Sequence, residues 1–169
     1  MSSALPDRVD VARQVQARRT FDGVLPLASM HRLRGSLVSD EGEAHYAVEF
    51  GKDGLGVSYL ALRVEAGLPL LCQRTLEPFV YRVSIDQRLG LIADESEEAS
   101  LPPGYEPLLV PEGELVIADV IEDELILALP VVPLKPGAPL EWSDRSDDEV
   151  PSDTKPTSPF AVLGTLKKH

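Results

Sequence analysis

From Glu43 to Ile92 apolar residues recur every second position. Tyr46, Val48 and Phe50 alternate with His45, Ala47 and Glu49, and Leu60, Leu62 and Val64 alternate with Ala61, Arg63 and Glu65. After Ala66-Gly67 come Leu68, Leu70 and Cys72; after Glu77-Pro78 come Phe79, Tyr81, Val83 and Ile85. Four alternating runs punctuated by glycine and proline predict an antiparallel meander with one buried face. On either side of it the period changes. Asp10 stands in an N-cap position ahead of a short helix over 11–15, with Val11 and Val15 one turn apart. Thr20 to Leu25 reads as a strand. Leu27, Met30, Leu33 and Leu37 fall on a helical stripe with Arg32 and Arg34 off it, which predicts a short helix over 27–37. A second helix is predicted over 115–129. Ile117, Ile121, Leu125 and Ala128 form its apolar stripe, Asp119, Glu122 and Asp123 lie away from it, and Pro130 ends it.

The pattern fades outside these segments. Residues 94–104 make an acidic, proline-bearing loop. Residues 135–157 hold four prolines, six acids and three serines among twenty-three positions. Such a stretch cannot bury enough surface to order itself, so it reads as a disordered acidic linker. Beyond it the chain turns abruptly apolar and then basic, with Phe160, Val162, Leu163 and Leu166 ahead of Lys167-Lys168. A short apolar end on a flexible tether fits a docking element for a partner, and equally a segment that packs back on its own domain. The expected fold is therefore α+β: a twisted antiparallel meander sheet covered by a few short helices. It comprises a single domain over 1–134, the linker over 135–157 and a C-terminal segment over 158–169.

Charge is distributed unevenly. The net value is −12, yet residues 1–36 carry six arginines against three acids, and residues 91–169 carry five basic groups against seventeen acidic ones. A protein gripping RNA over its whole surface would be basic, because affinity comes largely from neutralised phosphates. RNA contact is therefore expected only in the N-terminal third, where Arg18, Arg19, Arg32 and Arg34 flank a strand and a helix and could form a phosphate-binding patch. Ordinary surface pairing of these arginines with acids is the competing reading. The acidic half would repel RNA and attract basic proteins, although acidity also serves solubility alone.

Catalytic chemistry finds little support. His31, His45 and His169 stand in no motif with a nucleophile, and no phosphate-binding or dinucleotide fingerprint is present. Glu122-Asp123-Glu124 is the one carboxylate cluster that invites a metal-dependent hydrolase reading or a partner-binding one. Consecutive helical residues point about 100° apart, so a solvated face is the simpler expectation. Cys72 shares a face with Leu70 and reads as a small core residue. One cysteine makes neither an intramolecular disulfide nor a zinc site alone, so no metal or other cofactor is expected, nor a small-molecule substrate. No run of ~20 apolar residues spans a bilayer. The first thirty residues lack the apolar core of a secretory leader, which leads to a cytoplasmic expectation without membrane contact.

The same segments carry a resemblance. Arg19-Thr-Phe-Asp-Gly23, Leu71-Cys-Gln-Arg-Thr-Leu-Glu-Pro-Phe79, Tyr105-Glu-Pro107, the run from Val120 to Pro133 and the closing Pro159-Phe160-Ala-Val-Leu163 occur in order. Together they resemble the YceD family, the large ribosomal RNA subunit accumulation proteins of bacteria and plastids. The resemblance implies a non-enzymatic accessory role in synthesis, processing or stability of large-subunit ribosomal RNA. The implied partners are its precursor, a basic ribosomal protein or a processing enzyme; an acidic adaptor that never touches RNA is the alternative. Many relatives carry a paired-cysteine motif where this chain has Cys72-Gln73-Arg74-Thr75. With threonine in the second position, a structural role as the turn between two strands is expected for it.

Overall fold

A computed structural model describes residues 5–137. The elements run β1 (Val9–Asp10), α1 (Val11–Ala17), β2 (Thr20–Pro26), two 3-10 turns (Leu27–Ser29 and Leu33–Ser36), β3 (Glu43–Lys52), β4 (Ser58–Leu71) and β5 (Pro78–Ile92). They continue with a 3-10 turn (Glu95–Ser100), β6 (Glu106–Leu109), β7 (Glu114–Leu115) and α2 (Ile117–Leu127). The fold is α+β. Strands β2 to β5 form the antiparallel meander expected from the period-two pattern, and β6 adds to β5 in parallel, giving a mixed sheet in chain order. β1 and β7 pair separately.

Three strands, not four, account for the alternating runs. The Leu60–Val64 and Leu68–Cys72 runs belong to one strand, because Ala66-Gly67 preserves the alternation and Leu60 through Leu70 keep one buried face. Close packing rather than a turn explains Gly67: a β-carbon there would stand 3.0 Å from Val80 Cγ1. Pro69 is tolerated further along because β3 pairing with β4 ends at Ala66, so no neighbour needs its missing N–H.

Phe50, Leu60, Leu62, Val64 and Leu68 are fully buried on the covered face of the sheet. Leu27, Leu33, Ile117, Ile121 and Leu125 join the same core. The helix expected over 27–37 is instead two 3-10 turns. Its stripe was real, since Leu27, Met30 and Leu33 are all buried. The continuous helix is lost because the N–H groups of Arg32 and Leu33 are satisfied by a carboxylate from α2. The second helix is shorter than its apolar pattern, ending at Leu127 with Ala128 as C-cap, two residues before Pro130. The proposed linker beyond residue 137 and the C-terminal segment lie outside the described residues.

Candidate functional site

The four arginines do not gather. β2 separates Arg18 and Arg19 from Arg32 and Arg34, and its seven residues extend about 23 Å at the usual rise per residue. At the far end of β2, Arg32 is already engaged. Its Nε donates to Glu122 Oε2 at 3.2 Å, Nη2 donates to the Asp119 carbonyl at 3.1 Å, and Nη1 bonds Asp123. Arg34, two residues further on in the same 3-10 turn, is exposed.

Glu122 overturns the expectation of a solvated face. It is only 6% exposed, and Oε1 accepts the backbone N–H groups of Arg32 at 2.6 Å and Leu33 at 3.0 Å. Burial pushes its carboxyl up, but those two N–H groups and the guanidinium outweigh it and hold the pKa below the usual range. Sequence spacing missed this because Glu122 borders the Ile121–Leu125 stripe, where a long side chain reaches under a neighbouring turn. Asp123 points to Arg32, while Glu124 lies beside Gln87, where burial and the charges of Glu106 and Asp123 raise its pKa against the amide's pull. The three carboxylates thus diverge. Among the described residues, no three metal-ligating side chains come together.

The near end of β2 is different. Helix α1 starts at Asp10, whose carboxylate accepts the Arg13 N–H at 2.8 Å. It ends with Arg19 N–H donating to Gln14 O and Arg18 N–H donating to Val15 O, a Schellman arrangement. That closure places Arg18 at φ 47, ψ 50, the left-handed region where glycine is the usual choice. Arg18 and Lys52 border a groove of about 640 Å³ floored by Val11, Val15, Leu91, Ile92 and Val110. Arg13 and Arg19 line a separate concavity on the other face of α1. Among the described residues, none of Arg13, Arg18, Arg19 and Lys52 has a carboxylate within ion-pair distance; Arg8, by contrast, pairs with Glu114 at 2.9 Å. Lys52 was absent from the sequence reading, since only the β2–β3 pairing brings it beside Arg18 and Arg19.

Cys72 is buried at the end of β4, and Gln73 to Thr75 form the turn into β5. The chain leaving α2 fastens this turn. Gln73 N–H donates to Pro133 O at 2.9 Å, and Lys135 N–H donates to Cys72 Sγ at 3.4 Å. The Lys135 amide, then the Thr75 hydroxyl and amide, draw the thiol down to about 6. At the opposite end of the sheet, Tyr105 donates to Asp53 at 2.8 Å, and Asp53 also accepts from Leu55 and Val57 within the β3–β4 hairpin. Two stretches that carry the family resemblance are therefore clasps between sheet ends and loops. Phe160, Val162, Leu163 and Leu166 lie outside the described residues, and no described helix is long and apolar enough to cross a membrane.

The described residues form a small mixed-sheet α+β domain whose three neighbouring carboxylates diverge and whose first helix borders an apolar groove flanked by Arg18 and Lys52. The chain belongs to the YceD family: the model described as "Large ribosomal RNA subunit accumulation protein YceD" matches residues 60–167. Large ribosomal RNA subunit accumulation protein YceD of Haemophilus influenzae is 31% identical over 168 residues, covering 97% of both chains. No solved structure matches this chain.

Proposed function

We propose that this chain promotes accumulation of large-subunit ribosomal RNA by binding, with the α1 end of the sheet contacting precursor RNA. The observation that carries the reading is Arg18. A left-handed conformation costs a non-glycine residue roughly 1–2 kcal/mol, and an arginine kept there presents its guanidinium beside a groove. Lys52 lines the same groove, Arg13 and Arg19 line a second concavity on the other face of α1, and among the described residues none of them is ion-paired, so their charge is available to phosphate. Apolar walls between cations suit a splayed nucleotide, whose base leaves water while its phosphate is neutralised. Arg32 serves less well, because Glu122 and Asp123 already neutralise it.

Binding of a large-subunit precursor transcript by the Arg18→Gln, Arg19→Gln double variant tests this. Removing two phosphate contacts to single strands should lower the slope of log K against log salt by about 1.4. Affinity should fall about tenfold near 100 mM salt, while Arg32→Gln leaves the slope nearly unchanged. Wild-type binding without salt dependence would sink the RNA reading. It would favour capture of a basic ribosomal or processing protein by acidic surface, such as the exposed Glu95, Glu97 and Glu98 on one turn.

A further inference from the structure

We infer that the open face of the sheet holds a guanine base of single-stranded RNA, flat on Ala61 between Glu49 and Arg88. The inference rests on the RNA reading above and adds a base preference to it. Phe50, Leu60, Leu62 and Leu89 point into the core, so alternation puts Glu49, Ala61 and Arg88 on the opposite face. The register lines them up. Thr20 pairs with Glu49, Glu49 with Ala61 and Ala61 with Arg88, which makes one row across β2 to β5. Ala47 lies in the next row, paired with Arg63. Long side chains therefore rim a floor of two alanines, in a depression of about 280 Å³. Neighbouring strands lie about 4.8 Å apart, so the Glu49 and Arg88 backbones stand about 10 Å apart across Ala61. That gap suits a purine with a hydrogen bond at either edge.

The two ends of the row differ in kind. Among the described residues neither Glu49 nor Arg88 is ion-paired, whereas Arg63 donates to Asp86 at 3.2 Å. Arg88 is positioned without being neutralised. Its guanidinium lies 5.2 Å from the centre of the Tyr59 ring and beside the Tyr105 hydroxyl. The Tyr59 ring lies across Gly51, where a β-carbon would come within 2.5 Å of it. A carboxylate only accepts hydrogen bonds and a guanidinium only donates them. Among the RNA bases, guanine alone matches both ends, with N1–H and the 2-amino group on one edge and O6 and N7 on the other. Adenine turns its N1 acceptor to the carboxylate and its 6-amino donor to the guanidinium, a mismatch at each end. Pyrimidines are too short to reach both. A lysine or arginine side chain from a protein partner would be drawn to Glu49 and Asp22 but would meet Arg88 in the same row. Phosphate is repelled by those carboxylates and settles elsewhere. Thr20, at the end of the row, follows Arg19 directly, so a strand held by the α1 cations brings a neighbouring base onto Ala61.

Fluorescence anisotropy of the full chain with labelled oligouridine carrying one central guanine, adenine or inosine tests the assignment. Wild type should bind the guanine oligomer about tenfold more tightly than the adenine one. Inosine, which lacks the 2-amino group, should fall between them. Glu49→Gln should erase the differences among the three and keep the wild-type salt slope, which also reports that the variant is folded. The Arg18→Gln, Arg19→Gln double variant should lower the slope and retain the guanine preference. Salt-dependent binding without a base preference, or a preference that survives Glu49→Gln, overturns the inference and leaves the RNA reading standing. A Glu49-dependent guanine preference, with a slope that the double variant does not change, does the reverse. Absence of all RNA binding overturns both, and is the result expected if a basic protein segment occupied this face.

Discussion

Replacing Glu122 with alanine isolates the bond that replaced a helix with two turns. The carboxylate accepts two backbone N–H groups, one of them in a buried setting, and an arginine Nε. An unsatisfied buried N–H costs roughly 1–3 kcal/mol, and breaking a buried ion pair by removing one partner costs about 3–5 kcal/mol. The Arg32 guanidinium is half exposed, so water recovers part of its loss and Glu122→Ala should cost about 3 kcal/mol. For a domain of this size that lowers Tm by about 10 °C. Arg32→Gln should cost much less, about 1 kcal/mol, because the variant keeps both backbone donors and loses only a half-solvated charge. Urea unfolding followed by circular dichroism reads both, with an unchanged m-value confirming that only stability moved. Equal costs for the two variants would mean that the ion pair, not the capping of Arg32 and Leu33, holds the turn. The sign with pH follows from the depressed Glu122 carboxyl. Its stabilisation is complete above the unfolded value near ~4.3 and is lost as pH falls through the folded value. Wild type should therefore lose stability through the acid limb faster than Glu122→Ala does.

Two further outcomes follow from the ends of the sheet. Arg18→Gly should raise stability by about 1 kcal/mol, since it relieves the left-handed backbone, while weakening RNA binding; a variant that gains stability and binds RNA as wild type does would remove Arg18 from the site. The Cys72 thiolate absorbance should titrate with a midpoint near 6, and a midpoint above ~8.5 would show that the Lys135 and Thr75 donors do not reach it. Because that value lies below the unfolded thiol's, Cys72 adds stability as pH rises from about 6 toward the ordinary range. Cys72→Ala should flatten the rise.

Period-two alternation located β3, β4 and β5 and the face each buries, because a sheet with one covered face leaves no freedom in parity, although it divided β4 into two runs and followed β5 only to Ile85. Glycine misled the reading at Ala66-Gly67, where its small size serves contact with Val80 rather than a turn. The short strands β1, β6 and β7 carry two to four residues each, too few to show a period, and β6 owes its place to pairing with β5. Helical spacing found the buried residues of 27–37 but not their backbone, since Leu27, Met30 and Leu33 also share a face across two 3-10 turns. Arg18 and Arg19 were legible as cations; that they stand free while Arg32 does not depended on contacts ninety residues apart in the chain.

That difference among the arginines shapes how an acidic chain offers a basic surface. Glu122, Asp123 and the Asp119 carbonyl draw Arg32 onto α2 at one end of β2, so the acids of α2 are spent on folding there. At the other end Asp10 is turned to the Arg13 backbone N–H as an N-cap, not to a guanidinium. α1 therefore closes with its cations outward, and the β2–β3 pairing brings Lys52 up to the same groove. If RNA is the partner, as proposed above, a net charge of −12 would repel it from most of the molecule and make the encounter orientation-dependent. Phosphate would be attracted to one end and turned away from the rest. Specific placement of the chain on RNA would then come from charge distribution before any base is read.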